Sequence, residues 1–168
     1  MTIRAATRVD ADAICAIYNA GIAGRQATFE TSPRTTEDVL AWYGDGLPLL
    51  VATDDGGRVV GWARLSPYSD RCVYEGVGEH GVYVDPGSRG RGIGRQLLEA
   101  LSAAAEEAGF YKLTSRVFTT NGASLAVHRA AGFYEVGVQP RHGRLDGEWK
   151  DCVLVERLLG PARIDQPT

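Results

Sequence analysis

Cysteine is scarce in this chain of 168 residues: the three present, Cys15, Cys72 and Cys152, are odd in number and widely spaced. No Cys-x-x-Cys pair exists, which excludes a disulfide framework and a thiol-based zinc site and predicts buried free thiols in a reducing cytosol. Long apolar runs are missing as well. Nothing approaches the roughly 18 residues that cross a bilayer, and Met1 to Asp10 does not read as a signal peptide. The expected location is the cytoplasm. Net positive charge is also absent, the balance being −3, which argues against broad nucleic-acid binding. Internal repeats, low-complexity tracts and any His/Cys cluster fit to hold a metal are absent too.

What is there reads as an ordinary globular chain, 44% hydrophobic and 23% charged, long enough to bury a core as one domain. That domain is expected over 1–160. A tail over 161–168, flanked by Gly160 and without periodicity, is expected to be disordered. Ile3 to Ala6 is a short strand. Asp10 reads as the N-cap of a helix carrying Ile14, Ile17, Tyr18 and Ile22. Arg25 to Arg34 is a polar loop around Phe29, suited to face a ligand. Thr35-Thr36-Glu37-Asp38 signals a capping box before a short second helix. Leu47 to Thr53 and Arg58 to Leu65 flank Asp54-Asp55-Gly56-Gly57 as a β-hairpin. After a long connection, Ser66 to Gly78, come a strand (Gly81 to Val84) and a helix from Ile93 to Ala108. Tyr111 to Phe118 is a further strand, and Asn121 caps a short helix closed by Gly132-Phe133. Strands around Tyr134 to Gln139 and Asp151 to Leu158 flank a polar hairpin. The order β-α-α-β-β-β-α-β-α-β-β predicts an α/β fold, a mixed sheet with helices on its faces.

The chemistry concentrates between Glu79 and Leu98. Gly90, Gly92 and Gly94 alternate with Arg91 and Arg95 immediately before a helix. Glycines let backbone N–H groups approach a ligand, and a helix N-terminus attracts negative charge. The stretch therefore predicts a site for a phosphate-bearing cofactor. A nucleotide P-loop is excluded because no Lys-Ser/Thr follows the second glycine. The dinucleotide spacing Gly-x-Gly-x-x-Gly is not met either.

Arg89-Gly90-Arg91-Gly92-Ile93-Gly94 resembles the pyrophosphate loop of the GNAT acyltransferase superfamily. So does the later Asn121-x-x-Ser124…His128-x-x-x-Gly132-Phe133, and together the two motifs extend the resemblance over nearly the whole chain. Tyr18-Asn19, Thr28-Phe29-Glu30-Thr31-x-Pro33-x-Thr35, Glu79-His80-x-Val82-Tyr83-Val84 and Gly147-x-Trp149-x-Asp151 resemble one branch of it. That branch holds the phosphinothricin, methionine sulfoximine and arsinothricin acetyltransferases, which acetylate the α-amine of glutamate-like amino acids and often confer resistance. The resemblance implies a mostly antiparallel sheet in which the strand at Val82, Tyr83 and Val84 splays from its parallel neighbour to receive the arm of acetyl-CoA. Arg89, Gly90, Arg91, Gly92, Ile93, Gly94 and Arg95 are then expected to take the pyrophosphate. Asn121 and Ser124 are expected to meet the cofactor arm. Asn121 also suits a plain helix cap, and the two roles are compatible.

For the reaction, the resemblance implies Glu79 as the base that accepts a proton from the amine, helped by burial or by a water relay. Direct transfer is expected, with no acyl-enzyme. His128 or Tyr83 is the candidate proton donor to the departing thiol, and a packing role for His128 is equally open. Phe29, Arg71, Tyr74 and His80 are expected around the acceptor with Glu79, Arg71 supplying a cation for a carboxylate. Gly81 and Glu75 depart from the branch, where some members carry Ser or Thr and a second arginine. A homodimer is expected, with no nucleic-acid or membrane partner. Two other readings stand beside this one: a different acceptor (an aminoglycoside, polyamine or protein N-terminus) and a non-catalytic acyl-CoA sensor.

Overall fold

The structure, a computed structural model, describes residues 1–164. Its elements follow the expected order: β1 (Thr2–Ala5), α1 (Ala11–Ala23), α2 (Thr36–Ala41), β2 (Leu49–Thr53), β3 (Val59–Pro67), β4 (Val77–Val84), α3 (Ile93–Glu107), β5 (Lys112–Phe118), α4 (Gly122–Ala130), β6 (Tyr134–Leu145) and β7 (Glu148–Leu158). The strands form one sheet in the order β1-β2-β3-β4-β5-β7-β6. Every pairing is antiparallel except β4 with β5.

Strand alternation divides the core between the two faces. On one, Val51 and Trp62 pack against Ile14 and Ile17 of α1 and Val39 of α2. On the other, Val60, Ala63, Leu65 and Leu113 meet Ile93, Leu97, Leu98 and Leu101 of α3. The α2 capping box forms as expected: Asp38 N–H donates to Thr35 Oγ1 at 3.2 Å and Thr35 N–H donates back to Asp38 Oδ2 at 2.9 Å. Asp10 does not cap α1. It is buried in a bidentate pair with Arg4, at 2.8 and 3.0 Å, and accepts from Thr7 N–H at 2.7 Å. Those contacts hold its carboxyl below the usual range.

Other expectations need correction. The strand read from Gly81 begins at Val77. Gly76 and Gly78 look like loop residues in sequence, but they admit neighbouring side chains. A Cβ on Gly78 would lie 2.3 Å from Leu65, and one on Gly76 would lie 2.2 Å from Tyr111. The C-terminal hairpin is not a broad polar loop either. Only Asp146 and Gly147 turn, both at positive φ (51° and 83°), while β6 continues through the polar run to Leu145. As the sheet's edge, β6 keeps polar side chains in water at little cost. The tail expected over 161–168 is described as far as 164. Leu159 is fully buried, Gly160–Ala162 form a turn, and Arg163 pairs with Glu106; the rest of that tail, 165–168, lies outside the described residues. Cys15 and Cys152 are buried, but Cys72 is exposed.

Candidate active site

The sheet opens at one place. β4 and β5 pair in parallel only over Val77↔Lys112, Gly78↔Leu113 and Glu79↔Thr114. β5 stays paired with β7 as far as Phe118, and β4 with β3 as far as Val84. From His80 onward, then, the β5-facing edge of β4 is unpaired. An open edge of this kind is a template for an extended ligand.

The glycine-arginine loop lies at the end of that strand. Gly90 and Gly92 have φ of 78° and 75°, a region that L side chains rarely adopt. Among the described residues, none of the backbone N–H groups from Arg89 to Arg95 donates to a protein acceptor. They are a run of free donors at the start of α3, suited to an anion. Arg89 and Arg91 are exposed, whereas Arg95 is engaged by Glu99 at 2.9 Å. Ile93 points its side chain into the core and anchors the loop. Gly94 serves helix packing, since a Cβ there would lie 3.2 Å from Val127 of α4.

Two cavities of about 170 Å³ each lie on the α1 face of the sheet. The first is walled by Tyr18, Trp42, Trp62, Arg64, Ser66, Glu79, His80, Gly81 and Tyr83. Its aromatic residues form a connected cage: Trp62 stacks on Tyr83 at 4.8 Å, and Tyr18 meets Tyr83 edge-on at 5.0 Å. Trp62 Nε1 is buried there without a hydrogen-bond partner among the described residues. The second cavity holds Tyr68, Tyr74, Lys112, Thr114, Arg116 and Glu156. Their linings approach each other where Arg116 Nη1 of the second lies 3.7 Å from Glu79 Oε1 of the first.

Glu79 thus faces the cleft, with its side chain 42% exposed. The burial expected around this carboxylate is not present. His80 turns its ring away from the acceptor side. Its Nε2 lies 3.0 Å from His128 Nε2, and both rings pack on Phe133. His128 Nδ1 lies 2.8 Å from the Ser124 carbonyl, so it carries a proton and donates it there. His128 Nε2 is then the acceptor and His80 Nε2 the donor, an assignment fixed by the hydrogen-bond network. His80 Nδ1 is buried without a hydrogen-bond partner among the described residues. Burial pushes both imidazoles below their usual range, His80 the further, with repulsion from His128 adding to the effect of burial there. A neutral His128 with both nitrogens engaged is poorly placed to give up a proton. Burial raises the Tyr83 phenol well above its ordinary value, which keeps it protonated.

Other expected residues fall elsewhere. Phe29 packs edge-on against Phe118 at 4.8 Å and over Gly143, anchoring the 25–34 loop outside both cavities. Arg71 is exposed, its guanidinium 5.5 Å from the ring of Tyr74, so it stands at the rim of the second cavity. Asn121 accepts from Ser124 N–H at 3.2 Å and donates to the Gln26 carbonyl at 3.0 Å. It caps α4 and tethers the loop at once. Ser124 Oγ lies 3.4 Å from His128 Nδ1. Asn121→Ala is expected to lower stability by about 1 kcal/mol through the lost cap and to speed proteolysis between 25 and 34. Thermal unfolding and limited digestion would check both; an unchanged cleavage rate would dismiss the tether.

The profile of the Acetyltransferase (GNAT) family matches residues 17–133. The chain belongs to that family. It is 36% identical to a phosphinothricin N-acetyltransferase of Alcaligenes faecalis, covering 94% of this chain and 82% of that one. It is 34% identical to an L-methionine sulfoximine/L-methionine sulfone acetyltransferase of Pseudomonas paraeruginosa, covering 96% of each. Among solved structures, a GNAT phosphinothricin acetyltransferase from Sinorhizobium meliloti, in complex with acetyl-CoA, superposes with a TM-score of 0.90 at 32% identity, covering 99% of this chain and 92% of that one. This GNAT chain is an acetyltransferase.

Several cleft residues escaped the sequence reading: Tyr18 as a wall, Trp42, Trp62, Arg64, Lys112 and Arg116. A signal existed for the last two. Lys112, Thr114 and Arg116 alternate along β5, and a polar period of two marks a strand face not covered by a helix.

Proposed function

We propose that this acetyltransferase transfers the acetyl group of acetyl-CoA to the α-amine of a small glutamate-like amino acid. The observation that carries the reading is the meeting of the opened β4 edge with a cleft whose walls hold two carboxylates, Glu79 and Glu156, and three cations, Arg116, Lys112 and Arg64. Such walls favour an anionic amine over a polyamine or an aminoglycoside.

The residues present fit the co-substrate. The unpartnered N–H groups from Arg89 to Arg95 suit a pyrophosphate, and the free edge of β4 suits the amides of a pantetheine arm. Acetyl-CoA supplies the acetyl group as an activated thioester. Glu79 accepts the proton of the attacking amine, through a water given its open position. Backbone N–H groups of Val82 to Val84 stabilise negative charge on the carbonyl oxygen. Tyr83, held protonated, serves the departing sulfur as a hydrogen-bond donor. The chemistry is direct transfer, with no covalent enzyme intermediate.

The reading extends to a cytoplasmic single-domain enzyme that detoxifies such analogues. It also includes a homodimer, for which the edge strand β6, with Val136 and Val138 exposed, is open to a partner. The test is thiol release from acetyl-CoA across phosphinothricin, methionine sulfoximine, arsinothricin, ordinary amino acids, an aminoglycoside and a short peptide. Turnover confined to the glutamate analogues is expected. Turnover only with the aminoglycoside or peptide would discard the acceptor.

A further inference from the structure

Glu79 and Arg116 are side by side yet not hydrogen-bonded. Parallel register between β4 and β5 places Glu79 level with Thr114, so Arg116, two residues on, projects from the same face. The Nη1–Oε1 separation is 3.7 Å, beyond hydrogen-bonding range. Among the described residues, the Glu79 carboxylate accepts no side-chain or backbone donor, and the Nη groups of Arg116 donate to nothing. The guanidinium is nevertheless aimed. Its Nε donates to Gln139 Oε1 on β6 at 2.9 Å, which fixes the plane from outside the cleft.

The other cations are placed differently. Lys112 is engaged by Glu156 at 2.7 Å, and Arg64 is paired with Asp45 at 3.4 Å while lying over Trp42. Arg71 is exposed at the rim. Arg116 is the one cation among the described residues within 4 Å of Glu79. A carboxylate and an oriented guanidinium, adjacent but mutually unsatisfied, complement a molecule that bears an amine and a carboxylate on one carbon. A free α-amino acid would exchange the long ion pair for charge-assisted hydrogen bonds on each side.

We propose that Arg116, aimed by Gln139, is a specificity-determining residue that receives the acceptor's α-carboxylate while Glu79 receives its amine. The assignment rests on the amino-acid reading above and sharpens it: the site recognises free α-amino acids and rejects amines that lack the adjacent carboxylate. Arg116 is the binding group, and Gln139 is a positioning residue acting through it.

The experiment measures kcat and KM for L-methionine sulfoximine and for its α-carboxamide with the wild type, Arg116→Ala, Arg116→Lys and Gln139→Ala. Thermal unfolding of each variant monitors folding. The wild type should prefer the free acid by roughly 10- to 10²-fold, because the uncharged carboxamide cannot take the paired charge-assisted hydrogen bonds that the guanidinium offers. Arg116→Ala should raise KM for the acid much more than KM for the carboxamide and bring the ratio close to one. Arg116→Lys should recover part of the preference, since it restores charge without the fork. Gln139→Ala should reduce the preference by less than Arg116→Ala. An Arg116→Ala enzyme that keeps the wild-type ratio, or loses both substrates equally, overturns the assignment while leaving the amino-acid reading intact. A wild type that acetylates other amines but no free α-amino acid overturns that reading, and this one with it.

Discussion

Replacing Glu79 by glutamine is expected to lower kcat by roughly 10²- to 10⁴-fold, the range supplied by general acid–base catalysis. KM for acetyl-CoA should stay near wild type. An α-amine is largely protonated near neutral pH, and attack on a thioester needs its lone pair. Glutamine is nearly isosteric with glutamate and can still donate or accept a hydrogen bond, but it cannot take the proton. The carboxylate lies at the last paired position of β4 and β5, next to where the free edge begins, so its removal leaves the opened strand and the donors of 89–95 as they were. The defect should therefore appear in chemistry and not in co-substrate binding. It should also shrink as pH rises and free amine becomes available. A variant retaining wild-type kcat at pH 7, or losing affinity for acetyl-CoA in proportion to its activity, would remove Glu79 from the role of base.

Acid should loosen this protein well above the range where carboxylates titrate. His80 and His128 are 6% and 3% exposed, bonded to each other, and without a carboxylate partner among the described residues. Both are held below the ordinary imidazole value of 6.5. A base whose folded pKa is depressed binds fewer protons in the native state than in the unfolded chain. Stability from the neutral pair is thus complete above the unfolded pKa and is lost as pH falls below it toward the folded values. The limiting slope is about 1.4 kcal/mol per pH unit for each histidine kept neutral. Denaturant midpoints between pH 7.5 and 5 should fall steeply in the wild type. His128→Gln, which removes one of the two groups and part of the repulsion, should flatten that fall by half or more, even if its stability at pH 7.5 is lower. An equal slope in both proteins would mean that the pair is not what acid attacks.

The features legible in the sequence were those encoded locally. The 89–95 loop could be read because glycine at positive φ and a following helix are properties of a few adjacent residues. The same holds for the α2 capping box and the Asp54 turn, whose carboxylate accepts from Gly56 and Arg58 N–H. The cleft was less legible because it is assembled from α1, β3, β4 and β5, residues far apart in the chain whose shared face depends on register. Gly94 shows how a motif can hide a second purpose: its small size serves the contact with Val127 as well as the loop. Gly76 and Gly78 show the reverse error, in which close packing looks like a turn. His128 sat between ligand and packing readings, and only the position of His80 across the sheet reveals the hydrogen-bonded pair.

The chain contains three tryptophans, and Trp42 and Trp62 both stand in the wall of the first cavity, 5.2 Å apart. Among the described residues the Trp62 indole N–H has no acceptor, and Trp149 lies near the tip of the edge hairpin, under the guanidinium of Arg144. The intrinsic emission of the protein is therefore divided between a pair that looks into the cleft and a single reporter outside it. Occupation of the cavity, before any bond is made or broken, becomes something that can be watched by light from the enzyme itself, with Trp149 as the built-in reference.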